Sequence, residues 1–269
     1  MKINYMKYNA SGNISALVLD KVEQSNYKEI NDYILELDNT IEQVGFILSD
    51  KEPYTLEMAG LELCVNATRS FALYLSKQHH INHVMINTSG YKQPIPLDIN
   101  EDDVTIKLDI PIDMQWLTFK GNSYPIIHLE GISHVLIDND NIFDTKTLHE
   151  LIDVIDHPKS LLDISDNDDS IFISTIKDIP AIGFMFCNYN LNTMSPIVYV
   201  RETNTLIPEG SCGSGSIAYA YFLNKLSNKE SFKIKQPGGY LEVSIKDNAY
   251  YLSGDIKLEQ IVFHKEKML

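Results

Sequence analysis

A chain of 269 residues, 44% hydrophobic and 22% charged, has the composition of a globular protein and the length of one large domain or two ordinary ones. Its net charge of −15, with arginine only at Arg69 and Arg201, argues against nucleic acid or an anionic membrane as partner. No apolar run approaches the roughly 18 residues of a membrane helix, and the N-terminus lacks the order of a signal peptide, so the expected location is the cytoplasm.

Along the chain, "INYMKYN" and "ISALVLD" read as strands, residues 27–38 as a helix, and "QVGFILSD" and "YTLEMAG" as strands. A second helix is expected over 66–78, with apolar Ala67, Phe71 and Leu75 at helical spacing. Strands follow at "HVMINTSG" and "DVTIKLDIPI", and Pro111 in "DIPIDMQW" marks a boundary. Beyond it come strands at "YPIIHLE" and "SHVLIDN", a helix over 145–156, and strands at "SIFISTI", "AIGFMFC" and "SPIVYVRE". The helix expected over 214–226 is apolar on all sides from Ile217 to Leu223, the mark of a central, buried helix. "FKIKQPGG", "YLEVSIK", "AYYLSGD" and "LEQIVFHKE" close the chain as strands. Many strands with four helices make an α+β protein. The order on the two sides of the boundary is similar enough to read as an internal duplication.

Three cysteines, widely spaced, do not form a disulfide framework and should be thiols. Cys187 sits in an apolar run and reads as core. Cys64 and Cys212 each precede a short small or polar break and then an apolar helix, 148 residues apart. At a helix start the free N–H groups and the helix dipole favour a thiolate and can bind a substrate carboxylate. The backbone at Asn66-Ala67 and at Gly213-Ser214 is the expected carboxylate site. One such cysteine alone reads as packing; two in matching halves point to chemistry. No C-x-x-C occurs for a redox couple, and no second Cys or His lies near either thiol for a metal. A thiolate and a thiol acting as base and acid on opposite faces of one carbon fit best.

These residues carry a resemblance. The chain resembles the diaminopimelate epimerase superfamily of cofactor-independent amino-acid racemases, and within it the histidine racemases of staphylopine-type metallophore biosynthesis. The matching stretches are "KYNASGNISALV", "EQVGF", "ELCVNATRS", "EGISHVLID", "GSCGSGS" and "QPGGYLEVSI". The resemblance implies two similar domains, each a curved, barrel-like mixed sheet around a central helix, with the active site in the cleft between them. Residues 1–113, joined by 257–269, would form the first domain and 114–256 the second. It implies catalytic Cys64 and Cys212, no cofactor and no metal, a small amino-acid substrate, and leaves a homodimer open. It further implies that Glu42 reads a cationic or imidazole side chain and that Gln43 serves the amino or carboxylate group, where the residues alone read equally as a surface acid and amide; Asn13 reads as a ligand group or a turn residue, and Glu202 as the holder of the substrate ammonium or a solvated strand end. Cys64-Val65-Asn66 stands where the superfamily has Cys-Gly-Asn, so a narrower or reshaped pocket is expected. Ala181-Ile182-Gly183-Phe184 lacks an asparagine used on a second zwitterionic end, which disfavours diaminopimelate. The alternatives are diaminopimelate or another amino acid on the same thiols and, from a different class, a non-catalytic small-molecule binding protein. "KQHHINH" and "DISDNDDS" read as solvated polar segments rather than metal sites, and His134 as a cleft residue or a hydrogen-bonded structural histidine.

Overall fold

The computed structural model describes residues 2–138, 143–156 and 179–263. "DISDNDDS" (163–170) and the strand expected at "SIFISTI" (170–176) lie outside them.

The first half consists of β1 (Tyr5–Ala10), β2 (Asn13–Val18), α1 (Tyr27–Leu37), β3 (Gln43–Ser49), β4 (Tyr54–Met58), α2 (Val65–His79), β5 (His83–Thr88), β6 (Ile95–Asn100) and β7 (Asp103–Leu108). The second half begins with β8 (Asp113–Phe119), β9 (Asn122–Leu129), β10 (Ile132–Asp138) and α3 (Thr145–Asp156). It continues with β11 (Ala181–Asn188), β12 (Thr193–Val200), β13 (Thr205–Pro208), α4 (Gly213–Ser227), β14 (Ser231–Gln236), β15 (Gly239–Lys246), β16 (Ala249–Ser253) and β17 (Ile256–Val262). The four α-helices among the described residues fall where apolar spacing places them.

Pairing runs unbroken through both halves. Strands β1 to β7 pair in sequence, with parallel steps at β2–β3 and β4–β5. β7 then meets β16, Tyr250 opposite Leu108, and this joins the two curves. β17 returns to pair with β1. In the second half β8 to β12 pair in order, with β10 parallel to β11.

Each curve wraps a helix. α2 packs against β1, β2, β5, β6 and β7, and α4 against β9, β10, β14, β15 and β16. α1 and α3 cover the outer faces. The buried stripe of α1, Tyr27, Ile30, Asn31 and Ile34, has the i, i+3, i+4, i+7 spacing of a one-sided helix, and it packs with Val44 and Phe46. α3 places Leu148, Leu151, Ile152 and Ile155 against Val135, Ile137 and Phe184. Residues 132–137 of β10 are all buried because helices lie on both of its faces.

α2 is buried more completely than its apolar spacing implies, because Arg69 lies inside. Its Nε donates to the Val104 carbonyl at 2.9 Å, its Nη1 to Asn66 Oδ1 at 3.2 Å, and its Nη2 to the Gly254 carbonyl. A buried guanidinium is tolerable only when its donors are satisfied in this way.

Candidate active site

Cys64 and Cys212 are the N-caps of α2 and α4, two helices of 15 residues each. Each has the extended backbone of an N-cap, and each sulfur accepts the N–H three residues on: Ala67 N at 3.3 Å and Gly215 N at 3.4 Å. Four residues on, a hydroxyl returns to the cysteine carbonyl, Thr68 Oγ1 at 2.8 Å and Ser216 Oγ at 2.7 Å. Both helices end on a left-handed residue, His80 and Asn228. The duplication therefore extends to individual hydrogen bonds.

The two helix starts touch. A β-carbon on Gly213 would lie 2.7 Å from Val65 Cγ1 and 3.2 Å from Asn66 Oδ1. Asn66 Nδ2 donates to the Ser211 carbonyl at 3.2 Å and to Ser211 Oγ at 3.3 Å. Ser211 Oγ in turn donates to the Ala10 carbonyl at 3.1 Å. The Cys212 N–H donates to Gln236 Oε1 at 2.8 Å, while Gln236 Nε2 donates to Ser216 Oγ at 2.9 Å. Both thiols open onto one pocket, lined also by Gln43, Glu62, Val198 and Glu209. Its free space is about 10 Å³, room for roughly one water.

Burial dominates the electrostatics. Both thiols are 5% exposed. Loss of hydration, followed by the nearby Glu209 carboxyl, pushes each well above the ordinary cysteine value, and the helix N–H groups only partly oppose this. Helix starts alone led to the opposite expectation, a lowered thiol. In the closed pocket the desolvation of a thiolate outweighs the helix dipole. The Cys64 thiol donates to Gln43 Oε1, and Gln43 Nε2 donates to Glu209 Oε1. Glu62 is pushed up to about 7 by burial. Glu209 is raised by burial and then by Glu42, while contacts with Cys212 and Gln43 pull the other way. One oxygen of each carboxyl, Glu62 Oε2 and Glu209 Oε2, is buried with no hydrogen-bond partner.

Of the residues singled out from sequence, Cys64, Cys212, Gln43, Asn66, Gly213 and Ser214 line this pocket. Ala67 contributes the N–H that reaches Cys64. Asn13 and Glu42 instead face each other: Asn13 Nδ2 donates to Glu42 Oε2 at 2.8 Å, and Gly210 N donates to Glu42 Oε1 at 2.9 Å. Burial raises Glu42 to about 7 against these bonds. Its Oε1 thus holds the loop before Cys212, while its Oε2 is held by Asn13 at the start of β2. Glu202 is not brought to the thiols. It is exposed on the turn after β12, beside a separate cleft with Tyr27 and Lys28, because the chain reverses there into β13. The carboxyl that arrives is Glu209, at the end of that return strand. Sequence reasoning passed over Glu209 and Glu62. The available signal was an acid two or three residues before each cysteine, in "ELC" and "EGSC".

His134 neither lines the pocket nor is hydrogen-bonded. Its buried ring lies where a side chain on Gly183 would sit, both nitrogens lack partners, and burial lowers it to about 3, leaving a neutral imidazole. His79 and His83 bond separately, to the Asp50 carbonyl at 2.9 Å and to Asp98 Oδ1 at 2.7 Å. Among the described residues no group of three or more His, Cys, Asp or Glu is placed to hold a metal.

The profile of the histidine racemase CntK N-terminal domain family matches residues 2–263. A histidine racemase of Fusobacterium nucleatum subsp. nucleatum is 30% identical over 268 residues, 95% of this chain and 94% of that protein. One of Staphylococcus aureus is 26% identical over 259 residues, 91% and 89% of the two chains. Among solved structures, a hydroxyproline epimerase from Agrobacterium vitis, with bound trans-4-hydroxy-L-proline, superposes with a TM-score of 0.62 at 12% identity. That match covers 97% of this chain and 93% of that one. At this identity the likeness is one of fold, and it bears out the expected α+β architecture of two similar halves.

Proposed function

The chain belongs to the histidine racemase family, and from that premise we propose how its pocket inverts the α-carbon of histidine. Cys64 and Cys212 act as the acid–base pair. One sulfur, as thiolate, takes the α-proton, and the opposite thiol delivers its own proton to the other face of the planar carbanion. The product is the mirror-image amino acid, and the two sulfurs have exchanged protonation states. The N–H groups at the starts of α2 and α4, from Asn66 and Ala67 and from Gly213 and Ser214, receive the α-carboxylate and stabilise the charge that develops on it. Glu209 receives the α-ammonium. A cation there offsets the Glu209 charge, which after burial is the next cause that raises both thiols.

The observation that carries this reading is that two duplicated helix starts present their capping sulfurs to one pocket. A site with about 10 Å³ free cannot hold an amino acid, so the chain must open to admit one. We take residues 1–113 with 257–269, and 114–256, as the two bodies that part. Gln43, which spans from Cys64 to Glu209, gives up those bonds to the incoming substrate. Asn13 and Glu42 set the Gly210 loop that carries the second thiol. Catalytic thiols work only in the reduced state, which fits the cytoplasm.

Incubation with single L-amino acids in deuterated water tests the substrate. Deuterium should enter the α-carbon of histidine. Exchange confined to diaminopimelate would overturn the assignment, and ligand-induced thermal stabilisation with no exchange at all would favour a binding protein.

A further inference from the structure

Resting on that racemase reading, we propose that Glu62 is the specificity-determining carboxyl, receiving the side-chain N–H of the substrate while Glu209 takes the α-ammonium. Glu62 lines the thiol pocket, is 5% exposed, and its Oε2 has no hydrogen-bond partner. The backbone N–H groups of Glu62 and Gly60 favour its ionised form, but burial outweighs them, and Oε2 itself has no partner in hydrogen-bond geometry. Such a group persists where a ligand completes it.

The backbone before Glu62 is shaped to make room for it. A β-carbon on Gly60 would lie 2.8 Å from Glu62 Oε2 and 2.1 Å from Val200 Cγ1, so a side chain there would collide with the carboxyl. Leu61 has a φ of 60°, a left-handed conformation uncommon for a bulky residue and found where the surroundings impose it. The Glu62 carbonyl is fixed by Ser89 Oγ at 2.9 Å, which also accepts the Met58 N–H at 2.9 Å. The turn at residues 60–62 therefore gives up ordinary geometry to place a carboxyl at the pocket wall.

Position divides the work between the two acids. Glu209 is tied to Cys64 through Gln43, whose Nε2 donates to Glu209 Oε1 and whose Oε1 accepts the Cys64 thiol. Glu62 lines the same pocket with Oε2 outside that chain of hydrogen bonds, which leaves it for another group of the substrate. An apolar side chain would leave its oxygen unsatisfied. An imidazole N–H satisfies it.

The test compares α-deuterium exchange of L-histidine with that of L-3-(2-thienyl)alanine, an aromatic amino acid of similar shape without the N–H. Wild-type enzyme, Glu62→Gln and Glu62→Asp are assayed in parallel. Wild type should prefer histidine by roughly 10²-fold or more in kcat/KM. Glu62→Gln should raise the histidine KM by roughly 10–100-fold, hold kcat within about threefold, and lose most of the preference. Glu62→Asp, which keeps the charge but withdraws it by one methylene, should raise KM less and retain the preference. An unchanged KM and an intact preference in Glu62→Gln would overturn the inference. Should that variant not fold, an unchanged KM in Glu62→Asp would overturn it. Wild type that exchanges thienylalanine as well as histidine overturns this inference while leaving the racemase intact. Wild type that exchanges no α-proton of histidine overturns the racemase reading itself.

Discussion

Val65 stands against Gly213: a β-carbon on the glycine would lie 2.7 Å from Val65 Cγ1 and 2.8 Å from Val65 Cβ. The valine after the first thiol and the glycine after the second are complementary parts of one contact between helix starts. The bulk that sequence comparison flagged at Val65 is accommodated by the bare backbone opposite.

Gly213→Ala should therefore push the helix starts apart. Overpacking of this kind costs about 1–3 kcal/mol, seen as a lower melting temperature, with a matching fall in kcat because each start carries a thiol. Val65→Ala in the same chain should recover most of both. A Gly213→Ala enzyme with normal stability and turnover would show that the starts are not in contact.

The buried acids give a pH dependence of defined sign. Glu42 and Glu62 rise from an ordinary 4.5 to about 7 on folding. The unfolded chain releases these protons first, so their contribution to stability is fully present below pH 4.5 and is lost as pH rises through about 7. At about 1.36 kcal/mol per pH unit, Glu62 alone accounts for roughly 3 kcal/mol. Denaturant titrations at about pH 5 and pH 8 should show the loss, and Glu62→Gln should shrink it. Equal slopes in wild type and variant would contradict this.

Glu209→Gln and Glu202→Gln separate two carboxyls that sequence alone confused. The first should lower kcat/KM by roughly 10²-fold, since it removes a charged partner of the substrate ammonium. The second, exposed on its turn, should leave kcat/KM close to wild type. Steady-state kinetics decide it, and the reverse ranking would restore Glu202.

Gln236→Leu tests the frame of the second thiol. It leaves the Cys212 N–H without its acceptor, which costs about 1–3 kcal/mol and frees Cys212 to move. Stability and kcat should fall while the histidine KM changes little. A variant with wild-type kcat would mean that Gln236 does not position Cys212.

Much of the architecture was legible because the two central helices announce themselves. A cysteine, a short small or polar break and an apolar helix occur twice, and the folded chain repeats even the hydroxyl that follows each cysteine by four residues. What sequence missed were polar groups in unusual places. The apolar spacing of α2 gives no sign that Arg69 is internal, yet it is buried, and Val104, Asn66 and Gly254 each accept from it. Glu62 and Glu209 sit in loops, where an acid reads as surface; only the closing of the other half over them makes them internal. Glu42 and Asn13 stand in the sequence as candidate ligand groups; in the folded chain Asn13 donates to Glu42, Glu42 accepts from Gly210 and Asn13 accepts from Ser15, and the first of these contacts spans 29 residues, which no local pattern reveals.

The central claim is that Cys64 and Cys212 exchange protons across the α-carbon of histidine. The most direct measurement follows L-histidine in deuterated water with wild type, Cys64→Ser and Cys212→Ser, reading deuterium at the α-carbon of both enantiomers at early conversion. Wild type should yield D-histidine carrying deuterium while the remaining L-histidine stays largely unlabelled. Each variant should lose racemisation by roughly 10²–10⁴-fold or more. D-histidine that retains the original proton, or ordinary turnover in either serine variant, would contradict the two-thiol account.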